Sequence, residues 1–203
     1  MWRHLGRMKI IGILLLMTWG PGAAQQDGQE KTPNYYPLQA GNQWRFRVTF
    51  GENSDKAVAR ITKIETIGGQ SLARLEESVK SRVVAVGHLR QTEKGVFRYR
   101  MNDMEISPPM CLLQYPVKAG ARWEGDITVG DSKSKYACEA MQDTVEVPAG
   151  KFQAVRVTVR IQDKVLPVTI TYWFAQDVGI VKQTVEAEKR SIVTELEKFE
   201  PKK

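Results

Sequence analysis

The chain has 203 residues, with 30 Lys and Arg against 23 Asp and Glu for a formal net charge of +7, and 42% of its residues are hydrophobic. That length holds one good core or two small ones, and two cysteines and two histidines are too few for a Cys-only or His-based zinc site. The positive charge is mild and spread along the chain without a clustered basic stripe, which argues against nucleic acid as a partner.

Residues 1–24 read as a secretory signal peptide. Arg3, Arg7 and Lys9 form a basic start, Ile10 to Trp19 is apolar apart from Gly12 and Thr18, and Gly22-Ala23-Ala24 supplies the small residues of a cleavage site. An apolar run of about ten residues falls short of the roughly 20 needed to span a bilayer. Cleavage near Ala24 leaves 27 basic against 23 acidic residues, a net charge of +4, and no transmembrane segment. The expected location is periplasmic or extracellular. Residues 25–34 are polar and are expected to form a disordered linker.

Residues 35–203 read as a single β domain. Its plainest feature is a nine-residue phrase that occurs twice. Tyr36-Pro37-Leu38-Gln39-Ala40-Gly41-Asn42-Gln43-Trp44 returns as Tyr115-Pro116-Val117-Lys118-Ala119-Gly120-Ala121-Arg122-Trp123, with Tyr, Pro, Ala, Gly and Trp holding their places. Each phrase leads into a strand of period two: Trp44, Phe46 and Val48 alternate with Arg45 and Arg47, and Trp123, Gly125 and Ile127 alternate with Glu124 and Asp126. Further correspondences join Gly69-Gln70-Ser71-Leu72-Ala73 to Gly150-Lys151-Phe152-Gln153-Ala154, and Lys94-Gly95-Val96-Phe97 to Val178-Gly179-Ile180-Val181. Two related halves, about 36–114 and 115–203, follow from this pattern. Val155 to Ile161 and Val168 to Phe174 also alternate. In the tail, Ile192, Leu196 and Phe199 fall at helical spacing, but Ile192-Val193-Thr194 favours a last strand. The fold class is all-β: an antiparallel partly open barrel or sandwich built from two related β-meander halves.

Tyr172-Trp173-Phe174-Ala175-Gln176-Asp177-Val178-Gly179-Ile180-Val181-Lys182 resembles the closing motif of a group of secreted bacterial proteins, the domain-of-unknown-function 3108-like (TapB-like) family. Val147-Pro148-Ala149-Gly150-Lys151-Phe152 and the Tyr115-Pro116…Gly120…Trp123 phrase are similar to its other landmarks. The resemblance covers roughly 35–199. It implies an extracytoplasmic half-barrel-like fold, distantly similar to LolA/LolB-type lipoprotein carriers that hold acyl chains in a curved sheet. It brings no catalytic residues.

The residues themselves offer little for catalysis. His88 is the only imidazole beyond the leader, and it sits on a strand-like run where a hydrogen-bonded structural histidine is the ordinary reading. Glu76 and Glu77 are adjacent and point to opposite faces of a strand, while Glu124 and Asp126 share a solvent face, so neither makes the convergent pair that a glycosidase needs. No phosphate loop, nucleophile elbow or HExxH occurs. Cys111 and Cys138 in an exported chain are expected to form a disulfide. Arg45, Arg47, Arg98, Arg100, Arg156 and Arg160 fall on the polar phase of their strands. They predict either a basic patch on the outer sheet face or ordinary cross-strand ion pairs.

The expected activity is non-catalytic binding of an apolar or lipidic envelope ligand, with neither cofactor nor metal. Trp44, Phe46, Trp123, Ile127, Tyr172 and Phe174 would line the concave face. The alternative is a structural protein of the envelope that meets another envelope protein and takes no small molecule.

Overall fold

A computed structural model describes residues 33–162 and 167–202. The leader and residues 25–32 lie outside the described residues. Twelve strands follow one another: β1 (Gln43–Phe50), β2 (Asn53–Ile67), β3 (Gln70–Val79), β4 (Arg82–Thr92), β5 (Gly95–Met101), β6 (Met104–Gln114), β7 (Arg122–Val129), β8 (Ser132–Val147), β9 (Gly150–Gln162), β10 (Val168–Ala175), β11 (Gly179–Ala187) and β12 (Arg190–Glu200). Each pairs antiparallel with its neighbours in sequence, and β1 pairs with β12 along its whole length, from Gln43 opposite Glu200 to Phe50 opposite Ile192. The sheet is therefore a barrel, as one of the two expected architectures had it, but closed where a partly open one was expected, and the tail is its last strand.

The thinnest seam is between β6 and β7, which share only the pairs Ile106–Val129 and Ser107–Thr128. Pro108 and Pro109 follow directly in β6 and bring no N–H to the ladder. Side chains take over beyond them. The Trp123 indole N–H donates to the Cys111 carbonyl at 3.0 Å, and the Cys111 N–H donates to the Tyr136 hydroxyl at 3.4 Å.

The Gly-containing part of both copies folds into the same turn, while the Tyr115-Pro116 bond is cis and the Tyr36-Pro37 bond trans. Gly41 N–H reaches the Ile61 carbonyl at 2.8 Å and Asn42 N–H the Gln39 carbonyl at 3.1 Å; Gly120 N–H reaches Ala140 at 2.7 Å and Ala121 N–H reaches Lys118 at 3.1 Å. The first phrase introduces β1 to β6 and the second β7 to β12. Gly95 and Gly179 open β5 and β11 with φ of 142° and 99°, conformations that favour glycine. Each repeated Trp also caps a carbonyl, Trp44 reaching Val178 at 2.6 Å.

Because the strands alternate in direction, the odd-to-even turns gather at one end of the barrel and the even-to-odd turns at the other. The second end is plugged. Tyr36 stands edge-on to Trp44 and Phe174, at 5.5 and 6.3 Å between ring centroids, and Phe199 stacks on Trp44 at 5.3 Å. Such pairs add roughly 0.5–1.5 kcal/mol each beyond the area they bury. The lead-in is tied down as well: the Asn34 carbonyl, read from sequence as part of the disordered linker, accepts the Asp177 N–H at 2.7 Å.

The expected disulfide is not formed. Cys111 and Cys138 are free, buried thiols. Cys138 Sγ lies 4.0 Å from the Cys111 carbonyl oxygen, and burial pushes the two thiols up to about 11 and about 12. A thiol held this far above neutrality carries almost no thiolate. The native protein is expected to resist iodoacetamide, and the urea-unfolded protein to take two alkyl groups without reductant. An intact mass unchanged after alkylation in urea would contradict this.

Candidate functional site

Twelve strands enclose more space than side chains from eight would fill. Tyr172, Phe174, Val155, Val157 and Leu113 pack the interior on one side. On the other, a cavity of about 300 Å³ remains between β1–β5 and β11–β12. Its walls are Phe46, Val48, Ala57, Ala59, Val79, Ile180 and Val185, its floor is Tyr36, and Val84 and Ile192 stand towards the unplugged end. That end carries an apolar lip: Phe50, Val83, Val84, Met101, Met104 and Ile192 are all exposed, Val83 at 55% and Val84 at 59%. All of them flank odd-to-even turns.

Two charges line the cavity, Arg98 and Glu77. Arg98 lies beside the Tyr172 hydroxyl, whose oxygen favours its charge. Burial works against its charge, but the oxygens of Tyr172, Glu77 and Tyr36 outweigh that and hold its pKa above the ordinary guanidinium value. The Arg98 Nε–H finds no hydrogen-bond partner among the described residues. A buried donor left unmade costs about 1–3 kcal/mol. Burial likewise pushes the Tyr36 hydroxyl up, with Glu77 adding and Arg98 opposing, so both tyrosines stay protonated donors at neutral pH.

This corrects the sequence reading of Arg98, which is not on the outer face. The β5 ladder shifts register between Arg98 and Arg100: Arg98 sits opposite Leu89, whose side chain is in the core, while Arg100 sits opposite His88. A bulge of one residue moves a side chain to the other face of the sheet. Of the six residues expected to line a ligand site, Phe46 alone borders this cavity. Trp44, Tyr172 and Phe174 are core, Ile127 is buried on the far wall, and half-buried Trp123 closes the β6–β7 seam.

The other five arginines are outside and are matched by oxygen atoms. Arg45 meets Glu200 at 2.9 Å, Arg47 meets Glu195 at 3.0 Å, and Arg156 meets Asp143 at 3.3 Å. Arg100 donates to the Asp103 carbonyl at 2.7 Å, and Arg160 lies close enough to Glu139 to help lower its pKa. Trp173 joins this outer face by donating to Asp143 at 3.0 Å, with the Lys182 ammonium 5.8 Å from its ring centroid. The pattern is cross-strand pairing, and a wall so charged faces water, the reverse of the apolar outer band of a transmembrane barrel.

His88 is also on this outer wall, buried beneath neighbours, with Nε2 2.6 Å from Glu65. Hydrogen bonds from Lys63 and then His88 hold the Glu65 carboxyl down to about 2, and Lys198 and Arg45 do the same for Glu200. A depressed carboxylate contributes stability above its unfolded pKa and loses it as pH falls through the folded value. The melting temperature is therefore expected to fall between about pH 4.5 and 2, less steeply in high salt. A flat profile through that window would contradict the assignment. Among the described residues no group of acidic, His or Cys side chains is placed to hold a metal ion.

No family model matches the chain, and no characterised protein sequence matches it. The fold has relatives among solved structures. One is a candidate lipoprotein from Parabacteroides distasonis, with TM-score 0.54 and 13% identity, covering 84% of this chain and 100% of the other. Another is a candidate exported protein with a YmcC-like fold from Bacteroides fragilis, with TM-score 0.54 and 15% identity, covering 83% of this chain and 100% of the other. At such identity the likeness is one of fold.

Proposed function

We propose that this chain is an exported, non-catalytic β-barrel that binds an apolar or lipidic ligand inside the barrel, entering over the apolar lip. The observation that carries the reading is the cavity of about 300 Å³, plugged by Tyr36 at one end and flanked by exposed Phe50, Val84 and Ile192 at the other. Ligand pockets of this kind are mostly apolar with a few placed polar groups, and here those are Arg98, Glu77, Gln183 and Thr194. The absence of catalysis is supported by the position of His88, whose ring nitrogen is engaged by Glu65 on the outer wall.

Export is supported by the signal-like leader and by the descriptions of the two structural relatives as lipoprotein and exported protein. The closing motif on β10 and β11 keeps the link to the domain-of-unknown-function 3108-like group within this proposal. The matching turns before β1 and β7 support an origin by duplication of a six-strand unit. Native mass spectrometry of full-length protein expressed in a bacterial host tests both parts. Periplasmic protein lacking residues 1–24 and carrying a co-purified lipid is the expected result. Cytoplasmic, uncleaved protein would refute export, and failure to bind any apolar probe would refute the ligand reading.

A further inference from the structure

We propose that the cavity selects an uncharged amphiphile whose head accepts a hydrogen bond from Arg98 and donates one to Glu77. The inference rests on the reading in which the barrel interior takes an apolar ligand. It concerns the head group, which that reading leaves open.

Arg98 and Glu77 are the charged side chains that line the cavity, so its formal charge is zero. They sense each other electrostatically, yet no nitrogen–oxygen contact within 4.0 Å joins them among the described residues. The Arg98 Nε–H is left as a buried donor. The two groups thus stand apart as a donor and an acceptor in a space whose other walls are mostly apolar, Phe46, Val48, Ala59 and Ile180 among them, with Gln183 and Thr194 as neutral polar groups. A carboxylate entering that space would satisfy Arg98 but set a second negative charge beside Glu77. An ammonium would satisfy Glu77 and repel Arg98. In an enclosed apolar site an uncompensated charge is expensive. A primary amide or a glycerol ester brings a carbonyl for Arg98 and an N–H or O–H for Glu77, and leaves the sum at zero. The apolar tail then runs past Val185 and Ile192 towards the lip.

The test is calorimetric titration of the full-length protein with decanamide, decanoate and decylammonium, which share a tail and differ in head charge. Decanamide is expected to bind at least about tenfold more tightly than either ion. Glu77→Gln is expected to turn the preference towards decanoate, and Arg98→Met towards decylammonium. If decanoate binds the natural protein as tightly as decanamide, the charge-balance inference is overturned while the binding reading stands. If none of the three binds, the binding reading itself fails. Should either variant fail to fold, the ranking on the unaltered protein decides alone.

Discussion

Gly95→Ala is expected to destabilise the barrel by about 4 kcal/mol or more, or to prevent folding. Gly95 opens β5 opposite Gln114 with φ of 142°, and a Cβ there would stand 2.1 Å from the Leu113 carbonyl oxygen. No rotamer relieves that contact, because the obstacle is backbone. The β5–β6 pair would have to part where the first half of the barrel ends against its weakest seam. Two other glycines provide the scale. Gly150→Ala carries positive-φ strain alone, since nothing lies within 4 Å of its Cβ, and should cost about 1–2 kcal/mol. Gly179→Ala meets the Tyr36 ring at 2.8 Å, so the plug must shift, and an intermediate loss is expected. Urea midpoints for the three variants check the order. Gly95→Ala no worse than Gly150→Ala would contradict the described turn.

Arg98→Met is expected to cost about 1–3 kcal/mol, and Glu77→Gln added to it to restore part of that loss. Removing the guanidinium leaves Glu77 without the one cation that lines the cavity among the described residues, and takes a positive charge from beside the Tyr172 hydroxyl. Removing both charges leaves an uncharged space with neutral polar groups at Gln183, Thr194 and the new amide, which carries no such penalty. The two groups act on one another as charges at a distance, without a contact within 4.0 Å, so the loss is smaller than for a broken contact pair. A double-mutant cycle in urea reads the coupling directly. Strict additivity would mean that the two charges do not act on one another.

Much of the scaffold is readable in residue order, because its signals are local. Alternation along Trp44, Phe46 and Val48 sets the inner face of β1, and the repeated Gly-containing phrases mark the turns that precede β1 and β7. Closure is not local: it depends on β1 meeting β12 across the full chain, and nothing in either strand announces its partner. The site was hidden for two reasons. An inward apolar residue looks the same in sequence whether it fills a core, as Trp44 and Phe174 do, or borders a space, as Phe46 does. Strict alternation also puts Arg98 and Arg100 on one face; Arg98 follows core Val96 inward, and the register shift after it turns Arg100 outward. The adjacent Glu76 and Glu77 held a usable hint, since one of two neighbouring carboxylates on a strand must face inward. Glu76 pairs with Arg74 at 2.8 Å outside, and Glu77 lines the cavity.

The binding claim is tested most directly by filling the space. Ala57 lies opposite Phe46 on the cavity wall, and Ala57→Leu extends into the region a ligand would occupy. Calorimetric titration of the unaltered protein and this variant with decanamide should give binding in the first and none in the second. The variant should keep its melting temperature or gain about 0.5–2 kcal/mol of stability. Equal affinity in the two proteins would place the ligand elsewhere and contradict the account.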